Sequence, residues 1–239
     1  METSLQAGLT KPMGDQIQRV LGVIPARGGS KGLPRKNILS AAGRPLIAWT
    51  VDAGLKSSVV DKLIVSSDDD EIISIAVQLG CVAPFKRPTW LSSDTASSID
   101  VVTHALDQLP PYDYVVLLQP TSPLRSAGDI DAAFALMREH SCPACVSVSL
   151  VDMSPYWMYT LTGDSRLAKI VDMPKGVTRR QDLPPVYALN GAIYIAQVDW
   201  LRANGSFVSA DTVAYEMPSE RSIDIDTAQD FEAFRRVVE

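Results

Sequence analysis

Short apolar runs alternate with stretches of helical spacing along most of this chain, and that rhythm constrains its fold more than any other feature. Val20-Leu-Gly-Val-Ile24, Lys62-Leu-Ile-Val-Ser66, Tyr114-Val-Val-Leu-Leu118, Ala144 to Leu150 and Ala192-Ile-Tyr-Ile-Ala196 have the length and character of buried strands. Between and after them lie helical stripes: Leu46, Trp49 and Val51; Ile72, Ala76 and Leu79; Ile99, Val102, Leu106 and Leu109; Ile130, Ala133, Phe134 and Met137; and Phe231, Phe234 and Val238. A short strand is also expected near 82–85. Such alternation predicts an α/β fold, a mostly parallel sheet with helices on both faces. Its crossovers should be right-handed and its ligands should sit beyond the carboxyl ends of the strands. The rhythm breaks at 152–187, where Tyr156–Leu161 and Arg166–Val171 flank Thr162-Gly-Asp-Ser165 as in a hairpin. That block reads as an insertion projecting from a domain spanning 20–239. Residues 1–19, without periodicity, read as a tail.

With 239 residues, one such domain fits, and 46% hydrophobic content is ample for its core. Twenty-two Lys and Arg against 28 Asp and Glu give a net charge of −6, so no nucleic-acid partner is expected. No apolar run approaches the roughly 18–20 residues of a membrane span, and Met1 to Arg19 lacks a signal-peptide stretch. Three Cys fit a reducing compartment, so a cytoplasmic protein is expected. Two His leave only His104 and His140 for chemistry that needs imidazole.

The strongest local signal is Pro25-Ala-Arg-Gly-Gly-Ser-Lys-Gly-Leu-Pro-Arg-Lys-Asn37, directly after the first strand. Glycines let backbone N–H groups turn inward around phosphate oxygens. Arg27, Lys31 and Lys36 can neutralise a polyphosphate, and Ser30 adds a hydroxyl donor. The spacing is neither that of a Walker A loop nor G-x-G-x-x-G. A plain exposed basic turn is the alternative, but this position is where such sheets bind ligands.

In Ser222-Ile-Asp-Ile-Asp226, alternation puts Asp224 and Asp226 on one side of an extended segment. Paired carboxylates repel unless a cation lies between them, and Mg²⁺ shared with substrate phosphates fits. Alternatively, Asp226 caps the last helix, with Gln229 completing a capping box. Leu117-Leu-Gln-Pro-Thr-Ser-Pro-Leu-Arg125 leaves Gln119 at a strand end, either as a ligand contact or within a Pro-rich turn. Cys142-Pro-Ala-Cys145 runs into a strand instead of opening a helix, which favours packing cysteines over a redox or zinc site. His104 reads as structural, and Asp68-Asp69-Asp70 as acids favouring a helix start.

Taken in order, IPARGGSKGLPRKN at 24–37, LIVSSD at 63–68, RPTWLSSDTASS at 87–98, LLQPTSPLR at 117–125, RRQDLPP at 179–185, NGAIYI at 190–195 and SIDIDT at 222–227 resemble the CMP-sialic acid synthetases, the acylneuraminate cytidylyltransferases. The resemblance runs from about Val20 to the end. It implies a Rossmann-like nucleotidyltransferase fold and a homodimer, with 152–187 as a dimerisation arm. The implied reaction joins CTP to a nine-carbon 2-keto-3-deoxy acid sugar, giving a CMP-sugar and pyrophosphate. By motif, Arg27, Ser30, Lys31 and Lys36 would hold the triphosphate. Asn37, Arg87, Ala96 and Ser98 would surround the cytidine, Ala96 through its backbone. Asp224 and Asp226 would bind Mg²⁺. Gln119, Asn190 and Tyr194 would face the sugar, with Arg180 and Phe207 supplied by the other subunit.

Two positions depart from the pattern. Tyr-Trp-Met follows Ser154-Pro155 where relatives carry a basic residue, and Ala188 stands where some carry Arg. Both border the implied sugar, so N-acetylneuraminate, legionaminate and other nonulosonates all stay open. The expected catalytic groups are Lys36 at the α-phosphate, Arg27 and Lys31 on the departing pyrophosphate, and Asp226 as metal ligand and candidate base. An eight-carbon ulosonate enzyme would carry a shorter, differently spaced basic loop. A non-catalytic nucleotide-binding module would lack the paired acids or the loop lysines.

Overall fold

Alternate residues of the first strand face two different cores. Val20 and Ile24 belong to one buried cluster, Leu21 and Val23 to another, so the sheet is covered on both sides. This computed structural model describes residues 18–30, 32–93, 95–174, 176–177 and 179–239, excluding the side chain of Arg180. Lys31, the Arg180 side chain and residues 1–17 of the expected tail therefore lie outside the description.

In chain order the elements are β1 (Val20–Pro25), β2 (Ser40–Ala41), β3 (Arg44–Pro45), α1 (Leu46–Lys56), β4 (Lys62–Ser66), α2 (Asp70–Gln78), α3 (Ser98–Asp107), β5 (Tyr114–Leu117), α4 (Ala127–Glu139), β6 (Ala144–Leu150), β7 (Tyr159–Leu161), β8 (Leu167–Lys169), β9 (Tyr187–Gln197), α5 (Val198–Asn204), β10 (Thr212–Glu216) and α6 (Ala228–Val238). Six strands form the main sheet in the order β10-β6-β9-β5-β1-β4. β1 pairs in parallel with β4 and β5, and β10 with β6, while β9 runs antiparallel between β5 and β6. The mostly parallel α/β sheet is as the alternation predicts.

One face buries Ile47 and Val51 of α1, Ile72 of α2 and Ile130 and Met137 of α4. The other buries Val102 and Leu106 of α3 with Leu201 of α5. Each such side chain contributes roughly 1.5–3 kcal/mol on leaving water. α6 closes a third cluster, in which Phe234 meets Trp49 edge to face at 5.5 Å and Ile225 is fully buried.

Helix starts follow from capping chemistry. Asp69 caps α2 by accepting from the amides of Glu71 and Ile72, which accounts for the acidic run there. Ser97 with Asp100, Ser126 with Asp129 and Thr227 with Asp230 form capping boxes on α3, α4 and α6. The cap of α6 is therefore Thr227 with Asp230, and not Asp226 with Gln229.

Other expectations shift. The strand near 82–85 reduces to one bridge between Ile64 and Val82. β9 begins at Tyr187, extending the core strand into the base of the expected insertion. α5 and β10 were not anticipated: α5 has only seven residues, and Thr212-Val-Ala-Tyr-Glu216 is a half-exposed edge strand. The β7–β8 hairpin stands where the sequence predicts it, with Leu161 and Leu167 largely exposed. No helix among the described residues is long and apolar enough to cross a membrane. Cys145 is buried, its thiol pushed up to about 12 by desolvation, and Cys142 donates to the His140 carbonyl, as packing cysteines would. His104 packs edge to face on Phe85 at 4.9 Å.

Candidate active site

The chain leaves β1 toward β4 on one flank, while β5 lies on the other. The loops after β1 and β5 therefore diverge, and such a divergence opens a crevice at the carboxyl edge of the sheet. A cleft of about 360 Å³ occupies it. Arg27, Ser30, Lys36 and Asn37 line one wall, Arg87, Ala96 and Ser98 another, Gln119 the floor, and Asp224 and Asp226 the far side.

The glycine-rich loop is held by its own neighbours. Asn37 donates from Nδ2 to the Arg27 carbonyl at 3.0 Å, and the Gly28 amide donates to Asp68 Oδ1 at 3.0 Å. Arg27 Nη1 reaches the Ser93 carbonyl at 3.1 Å, tying the loop to the opposite wall. Arg35, in the left-handed region at φ 58°, pairs with Asp69 at 2.6 Å and with Glu71. A Cβ at Gly32 would lie 2.4 Å from the Asp226 carbonyl oxygen, so only glycine lets loop and acidic segment touch. Gly29 has open space around it. Gly32→Ala is accordingly expected to weaken nucleotide binding about tenfold or more, since misplacement by 1 Å can cost 10²-fold, while Gly163→Ala, in open space at the turn between β7 and β8, stays near wild type. Titration calorimetry with CTP on both variants checks this.

Lys36 joins the two halves of the site. Its side chain is 10% exposed, and Nζ donates to the Ile225 carbonyl at 2.6 Å and to Asp226 Oδ1 at 2.9 Å. Asp226 is 74% exposed and opens to the cleft. Ile225 is fully buried between the two acids, so the expected alternation holds although 222–226 pairs with no strand.

Asp224 is held above the usual carboxylate range, first by desolvation against the cleft wall and then by the charge of Asp226, with Thr121 and Lys36 pulling the other way. A carboxylate pair under like-charge strain fits a divalent cation whose remaining ligands come from substrate and water. Among the described residues no third His, Cys, Asp or Glu joins them. Because the folded pKa of Asp224 lies above the unfolded one, its ionised form costs stability above that range, and the cost disappears as pH falls through it. Asp224→Asn is thus expected to raise the metal-free Tm above wild type at neutral pH while removing activity. Calorimetric scans with and without Mg²⁺ check the sign.

Arg87 is 5% exposed, and its Nε and Nη2 have no hydrogen-bond partner among the described residues. Burial pushes its guanidinium down to about 10, with Asp68 opposing. Buried donors left open at a cavity wall call for an acceptor from a ligand.

The remaining expected contacts divide. Tyr194 stands near enough to Asp224 to feel its charge, which together with burial raises its phenol. Asn190 is turned inward: Oδ1 accepts from Ser147 at 2.6 Å and from the Ala192 amide at 3.2 Å, and Nδ2 donates to Ser222 at 3.0 Å. It braces the cleft instead of lining it. Phe207 is a correction, because at 5% exposure it packs on Tyr194 in its own chain's core and is not available to a partner's site. Thr121 carries a role the motif reading did not give it: its carbonyl accepts from the Ile225 amide at 2.8 Å, and its side chain helps to hold the Asp224 carboxylate down. Its signal was the QPTSP motif, read around Gln119 alone.

Sheet and crevice together define the nucleotidyltransferase class of α/β proteins. The solved CMP:2-keto-3-deoxy-manno-octonic acid synthetase complexed with CTP superposes with a TM-score of 0.70 at 19% identity, over 92% of this chain and 98% of that one. The cytidylyltransferase pattern matches residues 21–190, and the chain belongs to that family. It is 39% identical over 87% of its length to the N-acylneuraminate cytidylyltransferase of Streptococcus agalactiae, of which it spans about half, 51%. It is 37% identical to the CMP-N,N'-diacetyllegionaminic acid synthase of Legionella pneumophila, covering 92% of this chain and 97% of that protein.

Proposed function

We propose that this chain transfers the cytidylyl group of CTP to the anomeric hydroxyl of a nine-carbon 2-keto-3-deoxy acid sugar, N-acetylneuraminate or a relative such as legionaminate. The hydroxyl oxygen bonds to the α-phosphorus in line, the bond to the bridging α–β oxygen breaks, and pyrophosphate leaves. The observation that carries this reading is the Lys36 bridge, which places the cationic loop against the paired acids at 2.9 Å.

The chain's own groups divide the work. Lys36, already anchored through two donors, has its third N–H for the α-phosphate. Arg27 and Ser30, with Lys31 beside them in sequence, hold the outer phosphates and stabilise the leaving pyrophosphate. Arg87 offers its open donors to the pyrimidine or ribose, with Asn37, the Ala96 backbone and Ser98 around it. Gln119 and Tyr194 face the sugar, and a second subunit supplies Arg180. Mg²⁺ held by Asp224 and Asp226 together with phosphate oxygens would polarise the α-phosphate and ease ionisation of the attacking hydroxyl. Asp226 is the side chain placed to take that proton.

We assign the projecting 152–187 block to homodimer formation, because Met153, Leu161, Leu167 and Ile170 are each more than half exposed there. Three free cysteines support a cytoplasmic setting.

The test is pyrophosphate release from CTP and Mg²⁺ with a panel of nonulosonic and eight-carbon acid sugars. Release that requires both CTP and a nine-carbon acid is expected. No release with any acid sugar, or equal use of ATP, would overturn the reading.

A further inference from the structure

We propose that Arg125 is a positioning residue. From beneath the cleft it crosslinks the turn after β5 to α1 and β9, and so sets the sugar side of the site without touching substrate. That side is the sugar's on the function proposed above.

Arg125 ends the turn that starts at Gln119 and is 3% exposed. A charge in the interior is costly unless compensated, and an apolar side chain of similar volume is often as stable or more so. No ion pair reaches it among the described residues; Asp129 and Asp224 act on it through space, and burial pushes its guanidinium down to about 9. Its hydrogen bonds all go to neutral groups on three separate elements. Nε donates to the Ala192 carbonyl of β9 at 2.7 Å, Nη1 to the Thr50 hydroxyl of α1 at 2.7 Å, and Nη2 to the Gln119 carbonyl. A planar fork of fixed donors can make that three-way link, and a lysine ammonium cannot reproduce its geometry.

What the link controls lies in the cleft. Gln119 lines the cleft, and the Thr121 carbonyl accepts from the amide of Ile225, the residue between the two acids, at 2.8 Å. Gly191, at φ +74°, lets β9 pass so close that an added Cβ would lie 3.0 Å from Gln119 Oε1. Loosening Arg125 would therefore displace Gln119 and the acid-bearing segment together, while the loop at 25–37 keeps its own bonds to Asp68 and Ser93.

The experiment compares Arg125→Gln, Arg125→Lys and Thr50→Val. In Arg125→Gln the KM for the sugar is expected to rise about tenfold or more with a fall in kcat, while CTP affinity stays within about twofold. Arg125→Lys should fall between this and wild type, and Thr50→Val, which removes one of the three arms, should move the sugar KM in the same direction by a smaller factor. Hydrogen exchange gives a readout independent of turnover: amides in 119–125 and 190–193 should exchange about tenfold faster in both Arg125 variants, with 26–37 unchanged. If Arg125→Gln does not fold, Arg125→Lys carries the same readouts. Exchange that is unchanged, or sugar and CTP constants that move equally, would overturn the proposal. A wild-type protein that releases no pyrophosphate would sink the proposed function, and exchange would still decide the role of Arg125.

Discussion

Replacing Asp226 by asparagine is expected to lower kcat by about 10²–10³, the scale on which one group aligned with developing charge acts, with an unchanged circular dichroism spectrum. The asparagine keeps the size and one oxygen of the aspartate but loses the charge that would hold a cation against the α-phosphate. Folding should tolerate the change. The Asp226 side chain is 74% exposed, so its pairing with Lys36 is screened on one side, and such pairs are worth roughly 0–1 kcal/mol. The capping box of α6 does not use it. The signature is therefore lost turnover with a Tm near wild type. Near-normal turnover in Asp226→Asn would remove this carboxylate from the mechanism, whatever happens at Asp224.

Lys36→Met should have a comparable kinetic effect with a different stability signature. The methionine fills most of the volume and removes three donors. kcat at saturating CTP is expected to fall about 10²–10³-fold, because the positive charge facing the α-phosphate is gone. Here folding suffers too. The buried Ile225 carbonyl loses its donor, at a cost of roughly 1–3 kcal/mol, and in a chain of this size each kcal/mol shifts Tm by about 2–4 °C. Lys36→Arg, which keeps charge and donors, should recover part of both losses. Full rate for Lys36→Met at saturating CTP would separate the cationic loop from catalysis and leave it a binding element.

Much of the frame was legible in the chain because periodicity is local. The apolar run at Val20–Ile24 has to be buried on both faces, and the stripe Ile130, Ala133, Phe134, Met137 has to lie on a helix, whatever surrounds them. β10 and α5 escaped because an edge strand with one polar side and a seven-residue helix leave weak periodicity. The cleft was legible through chemistry: Arg27, Lys36, Arg87 and the two acids announce an anion and a cation by type alone. Arg125 and Thr121 leave no such signal because their partners are backbone groups and one hydroxyl that no local pattern reveals.

By itself, the sequence determined the α/β alternation, the glycine-hinged basic loop after the first strand and the same-sided acids, since each depends on residues within a few positions of one another. The tertiary structure alone decided which of these meet. Lys36 and Asp226 lie 190 positions apart and come within 2.9 Å only because sheet order and the packing of α6 bring them together. The same balance of burial turned Asn190 inward, sank Phe207 into its own core and set Arg125 under the floor. Contacts at such separation are fixed by how the whole chain shares its buried volume, which no short stretch of sequence encodes.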